Sequence, residues 1–416
     1  MEEIYYAFNP WWSEKDFKSG IPRELYTRNF PALLKRKQIE VIIGSRRVGK
    51  TTIIKQMIKK TLKSKYPSKQ ILYLALDHPQ LSKEPISVHL RNFRKLFLHD
   101  RRKKLALFLD EVQESPNWAQ ELKSVYDMEN VKIFCTGSTA ALIKMQGGKL
   151  TGRQIVTTVY PLSFREFVDF KGAEISMDEG YKYEKILDEY LAAGGYPENA
   201  LKRSNEYLQN LLEDIIIRDL ARLYEIRKLG VLKDMFRVLA SQVGSRTSFN
   251  KLSNVLGISV DTVKEYAGYF DAAFLIKPME KWSTSYNDRI YAQKKIYFLD
   301  TGFKTLLTGR RDIGAKAENA VFVNLLRKKE TCGYFAEGER EVDFITGSFK
   351  SPLPIEVKYD SDFDLDGRKF DGIRLFLKRY PRTKKIIIVS KDKEAEVKRG
   401  QTIIRIVPLW KYLLTN

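Results

Sequence analysis

A chain of 416 residues exceeds one typical core, so two to four domains are expected. Its hydrophobic fraction of 43% excludes a disordered chain, and no run of 18 apolar residues marks a membrane span. The net charge of +21 favours polyanionic partners, nucleic acid first, with a lysine-rich solvated surface as the plainer alternative. MEEIYYAFNPWW lacks the basic-then-apolar order of a signal peptide. Cys135 and Cys332 make no metal-ligand spacing, so a cytoplasmic protein without a membrane partner is expected.

Residues 1–30 form a lead-in whose Asn9, Pro10, Trp11 and Trp12 either cover the core or pack near a base. From 31 to about 165, strand-like runs alternate with helical stretches. The runs are IEVII (Ile39–Ile43), ILYLAL (Ile71–Leu76), LALFL (Leu105–Leu109), VKIFC (Val131–Cys135) and IVTTV (Ile155–Val159). Such alternation implies an α/β fold with a parallel sheet covered on both faces. GSRRVGKT, Gly44 to Thr51, fits G-x-x-x-x-G-K-[ST] between a strand and a helix, the setting of a phosphate-binding P-loop. Gly44 and Gly49 permit the tight turn. The backbone of Ser45, Arg46, Arg47, Val48 and Gly49, with Thr52 beyond, presents N–H groups to ATP phosphates at a helix N-terminus. Lys50 is placed to reach the β- and γ-phosphates, and Thr51 to hold Mg²⁺.

LALFLDEVQ puts Asp110 and Glu111 at the carboxyl end of a strand, where ligands gather in doubly wound sheets. Asp110 suits the metal's water shell and Glu111 the general base. After VKIFC, Ser138 of TGS is a γ-phosphate sensor or part of a simple turn. Arg153 of LTGR supplies charge to the transition state, in cis or to a neighbouring subunit of an oligomer, or is simply solvated; Arg46 and Arg47 are alternatives.

From about 166 to 240 the pattern is helical, broken at GGYPE (Gly194–Glu198). GSRRVGKTT, FLDEVQ, TGS, LTGR with PLSFREF, and GGYPE occur in this order in archaeal and bacterial AAA+-like ATPases related to the signalling NTPases, which the chain resembles. The resemblance implies a P-loop NTPase core over 1–165, a helical lid over 166–240 and a winged helix over 241–312. It implies that Pro197, in G-x-P, packs near adenine; by itself GGYP reads as a turn. In the 241–312 block, Lys251–Leu256, a turn at Gly257 and a Ser259-capped second helix read as helix-turn-helix. Val263, Ala267 and Phe270 recur at core spacing. Asp261, Lys264, Glu265 and Tyr269 leave a mixed solvent face with few groups for reading bases.

Residues 313–416 read as a further α/β domain. Glu318 lies on a helix, and Asp343 follows Glu339 and Glu341 near the start of a strand. PIEVKY then puts Glu356 and Lys358 on one face of the next strand. The order resembles the restriction-endonuclease-like PD-(D/E)XK nuclease fold, including the helical glutamate of its Holliday-junction-resolvase-like branch. Val342 stands where that motif has proline. In such a site Asp343 and Glu356 hold Mg²⁺ or Mn²⁺, Lys358 orients water, and Glu318 supports the metal. A solvated strand with alternating charges, or a fold kept only for binding, are the plainer readings. Two functions follow: an ATP-driven enzyme acting on DNA, or a regulatory NTPase switch that gates a protein partner.

Overall fold

The structure, a computed structural model, describes residues 1–137, 150–309 and 312–415. It divides into two compact units, Met1–Val159 and Tyr160–Asn416.

The first unit is built on strands β1 (Ile39–Ile43), β2 (Ile71–Ala75), β3 (Leu105–Asp110), β4 (Val131–Gly137) and β5 (Gln154–Thr158). Their order is β2-β3-β4-β1-β5 and every pairing is parallel. β2 and β3 are buried along their whole length, which is why they read as continuous apolar runs. The connections include helices Lys50–Lys63, Ile86–Leu96 and Trp118–Met128. Lys50–Lys63 buries Ile53, Ile54, Met57 and Ile58 at helical spacing. Ile43 pairs with Gly137 and Leu109 with Cys135, so the ends of β1, β3 and β4 share one carboxyl edge.

The lead-in covers the free edge of β2. Asn9 imitates a neighbouring strand: its Oδ1 accepts from Tyr73 N at 2.7 Å and its Nδ2 donates to Tyr73 O at 3.0 Å. Trp12 Nε1 donates to Ile71 O at 2.8 Å. An edge that would otherwise invite pairing with another chain is thereby satisfied.

The second unit begins with helices and then alternates in a compact order. Helix Leu229–Ser241, β6 (Arg246–Thr247), helices Phe249–Leu256 and Val260–Ala272, β7 (Ile276–Met279), a short helix Tyr286–Tyr291 and β8 (Lys294–Phe298) follow one another. The three strands form an antiparallel sheet, β6-β8-β7. Gly257 ends its helix at φ 64°, and the Ser259 side chain accepts from Thr262 N. A mixed sheet then runs β13-β14-β12-β11-β10-β9. Its strands are β9 (Gly333–Glu337), β10 (Arg340–Ser348), β11 (Ser351–Lys358), β12 (Lys385–Ser390), β13 (Ala395–Arg399) and β14 (Thr402–Pro408). Helix Ile313–Arg327 precedes it, and helix Asp371–Arg379 links β11 to the parallel β12. One buried core runs from Leu162 to Leu413 across these blocks. Phe236 is one of its centres, with ring centroids 5.1 Å from Phe270 and 4.7 Å from Phe298.

Candidate functional sites

At the carboxyl edge of the parallel sheet, a Cβ on Gly44 would lie 2.3 Å from Val159 O, so only glycine fits. Gly49 is left-handed at φ 99°. Lys50 is buried, and its Nζ donates to Gly44 O and Ser45 O, each at 3.1 Å. The same Nζ is 3.7 Å from Glu111 Oε1. Asp110 is buried and accepts from Thr136 Oγ1, and from Tyr73 OH at 3.1 Å. Burial raises its pKa, while hydrogen bonds from Thr136 and from Thr51 oppose the rise. Glu111 turns out of the strand at φ 50°, its N–H held by Thr136 Oγ1 at 2.9 Å and its Oε2 by Gln113 Nε2 at 2.6 Å. Lys50, Thr51, Asp110 and Glu111 therefore meet, with Ser45 and Val48 buried in the loop beside them. Oxygens of Thr51 and Asp110 lie within hydrogen-bond reach, a donor set suited to Mg²⁺.

Arg23 supports this loop from outside any motif. It is 1% exposed, and its Nη1 donates to Val48 O at 2.9 Å. Gln56 Oε1 accepts from Arg23 N at 3.0 Å.

Arg153 requires correction as a finger acting in cis. It precedes β5, and its carbonyl accepts from Ile39 N at 2.8 Å, at the amino end of β1. The P-loop leaves the opposite end. The guanidinium instead grips Asp127 through Nε at 3.0 Å and Nη2 at 3.1 Å. Ser138 lies outside the described residues.

Pro197 opens the helix Pro197–Leu201 in the second unit. The preceding turn is built around Asp300. Its Oδ2 accepts from Gly195 N at 2.6 Å and its Oδ1 from Gly302 N at 2.8 Å. A Cβ on Gly194 would meet this carboxylate at 2.0 Å. Burial pushes Asp300 up to about 6, against the opposing pull of those N–H groups. A carboxyl raised in the folded state binds more protons there than in the unfolded chain. Its contribution is therefore full below pH 4 and lost as pH rises through about 6. Comparing wild type with Asp300→Asn by chemical unfolding, we expect wild type to lose about 1.4 kcal/mol per pH unit relative to the variant between pH 4 and 6. A difference independent of pH would refute the assignment.

The second unit holds a denser ionic centre. Phe344 pairs with Ile355, which brings Asp343 beside Glu356. Asp343 Oδ2 accepts from Val357 N at 2.9 Å, and Glu356 Oε2 from Asp343 N at 3.2 Å. Lys358 Nζ donates to Glu356 Oε1 at 2.6 Å. A residue absent from the sequence reading lies at the middle. Lys295 of β8, with no exposed surface, places Nζ 2.8 Å from Glu341 Oε1, 3.1 Å from Glu318 Oε1 and 3.3 Å from Asp343 Oδ1. Tyr297 OH donates to Glu318 Oε1 at 2.6 Å, and Arg246 Nε lies 3.3 Å from Glu341 Oε2.

Burial pushes Glu356 up to about 8, with Asp343 beside it adding to the rise. Burial and Asp343 likewise push Glu318 up to about 7, against the pull of Lys295. Burial also disfavours an ionised Asp343, but Lys295 and then Lys358 outweigh it and hold this carboxyl below its ordinary range. Burial disfavours charge on Lys295, yet Glu318, Tyr297, Asp343 and Glu341 hold its ammonium well above the usual value.

The expected metal ligands Asp343 and Glu356 are thus brought together with Lys358 and Glu318, but not as a metal site. All four oxygens of the two carboxylates already accept from Lys295, Lys358 or backbone N–H groups. Among the described residues, no group of three or more His, Cys, Asp or Glu is arranged to hold a metal ion. Divalent metal does not fit the centre in this arrangement. Nor is any described helix long and apolar enough to cross a membrane.

Residues 36–168 match the model of an AAA domain. Sequence match and site geometry agree on an AAA-type ATPase domain over this stretch. Residues 184–313 match a domain of unknown function (DUF8612), and residues 313–412 another (DUF4143). Uncharacterized protein MJ1544 of Methanocaldococcus jannaschii is 28% identical over 420 residues, covering 94% of this chain and 92% of the relative. An uncharacterized protein of Haemophilus influenzae is 24% identical, covering 94% of this chain and 98% of its own length. The crystal structure of Cdc6p from Pyrobaculum aerophilum covers 73% of this chain and 97% of that one, at 10% identity and a TM-score of 0.32, a likeness too slight to bear on function.

Proposed function

We propose that the protein is an AAA+-like ATPase that binds and hydrolyses ATP with Mg²⁺ and acts on nucleic acid. The observation that carries the ATPase reading is the meeting of Lys50, Thr51, Asp110 and Glu111 at one sheet edge. The turn from Gly44 to Gly49 gives the phosphates a nest of N–H groups. Lys50, which now bonds two loop carbonyls, exchanges them for the β- and γ-phosphates. Glu111, steadied by Gln113, polarises the attacking water. Thr51 and Asp110 are the residues to hold Mg²⁺, which would neutralise phosphate charge.

The net charge of +21 supports nucleic acid as the partner. The order strand, two helices, strand, short helix and strand from Arg246 to Phe298 supports a winged helix within 241–312, after a lid over 166–240 that carries Pro197. Glu318 on a helix, Asp343 and Glu356 on paired strands, then a helix and parallel β12 support a PD-(D/E)XK-like domain over 313–416. The test is cleavage of duplex, single-stranded, forked and four-way-junction DNA with Mg²⁺ or Mn²⁺, with and without ATP. Cleavage that disappears in Asp343→Ala and Lys358→Ala supports an ATPase–nuclease. No cleavage of any substrate contradicts the nuclease part.

The second reading, an NTPase switch with a non-catalytic C-terminal domain, is favoured by one observation: an ammonium already sits among the carboxylates. A protein partner retained in pull-down, with no effect of DNA on ATP turnover, would support it.

A further inference from the structure

We infer that Lys295 is the resident cation of the carboxylate centre and holds it closed to divalent metal. The inference rests on reading the centre as of the metal-nuclease type. Three carboxylates from a helix and from β10 converge on one ammonium, at 2.8 to 3.3 Å. Lys295 is completely buried, so water does not screen it from a second cation. A divalent ion bound to Asp343 and Glu318 would have to displace that ammonium.

The origin of the groups gives the closure its meaning. Arg246, Lys295 and Tyr297 all lie in the 184–313 segment, whereas Glu318, Glu341, Asp343, Glu356 and Lys358 lie in the 313–412 segment. The two segments meet across the centre. Arg246 and Lys295 are partners in the β6–β8 register, so both cations reach the centre from one sheet. Gly244, at φ 78°, closes against the Glu318 carboxylate, where a Cβ would lie 3.0 Å from Oε2. Without the Lys295 ammonium, the four carboxylates of Glu318, Glu341, Asp343 and Glu356 would outnumber the cations Arg246 and Lys358 beside them. Such an excess of oxygen charge is what a hard divalent cation satisfies.

The test is Mn²⁺ titration, followed by electron paramagnetic resonance, of the nucleotide-free full chain. Wild type, Lys295→Met, Asp343→Asn and the double variant Lys295→Met/Asp343→Asn are compared, with circular dichroism to confirm folding. Lys295→Met should gain one Mn²⁺ site, bound at least about tenfold more tightly than any in wild type, and the double variant should lose it. Should Lys295→Met not fold, Lys295→Gln/Glu341→Gln removes one negative charge along with the ammonium, and the same gain is expected. A wild-type Mn²⁺ site that Asp343→Asn abolishes, or no gain in a folded variant, would overturn the inference. The same variants are assayed on the DNA panel. A gained Mn²⁺ site without cleavage supports Lys295 as resident cation while defeating the nuclease reading, so the two failures are distinguishable.

Discussion

Replacing Glu111 by Gln lowers ATP turnover by about 10²–10⁴-fold and leaves ATP binding in place. The expectation follows from where the side chain stands. Glu111 is one residue past the strand, turned out by its left-handed backbone, with one oxygen on Gln113 and the other 3.7 Å from the Lys50 ammonium. It stands beside the Lys50 ammonium, which reaches toward the phosphates, but supplies none of the loop's phosphate-binding N–H groups. Glutamine keeps its size and removes its basicity. The loss should therefore fall in kcat, with nucleotide affinity by calorimetry nearly unchanged. Turnover within about threefold of wild type would mean that another group acts as base.

Replacing Asp343 by Ala destabilises the second unit by about 3–5 kcal/mol. Asp343 is buried, receives Val357 N, and faces Lys295 at 3.3 Å. Alanine leaves an orphaned backbone donor and a buried ammonium short of one counter-charge. Removing one member of such a set costs far more than the set contributes over an apolar replacement. The measurement is urea unfolding followed by hydrogen exchange of β10, β11 and β12. A metal ligand poised among like charges would behave oppositely, since its removal relieves repulsion. Unchanged or increased stability would therefore refute the ion-pair account of this centre.

The phosphate edge was legible because its information is local. Glycines at positions 44 and 49, a lysine beside them and acids at a strand end are short-range patterns, and the apolar runs of β1 and β3 mark their sheet. The C-terminal carboxylates were legible as types but not as partners. Lys295 is one of 73 Lys and Arg residues, and the three acids it meets, Glu318, Glu341 and Asp343, lie 23 or more positions away. Its single signal was a pair of lysines opening the otherwise strand-like KKIYF, a pattern that equally describes a solvated edge. Arg153 was placed correctly, in the loop before β5, but a finger role in cis does not follow from that position. Its loop precedes β5, and a loop that precedes a parallel strand lies at the amino end of the sheet, away from the ligand edge. GGYPE was legible as a turn, but its partner Asp300 is 105 residues from Gly195, so the need for both glycines was invisible in the chain.

Steady-state ATP hydrolysis by the full chain, with and without single-stranded and duplex DNA, for wild type beside Lys50→Ala, tests the nucleic-acid-driven ATPase most directly. An ATPase that works on nucleic acid should turn over ATP, be stimulated by DNA in a salt-sensitive manner, and lose both properties with Lys50. ATP turnover that no nucleic acid alters would contradict an ATPase working on nucleic acid and leave the protein-gating switch in its place.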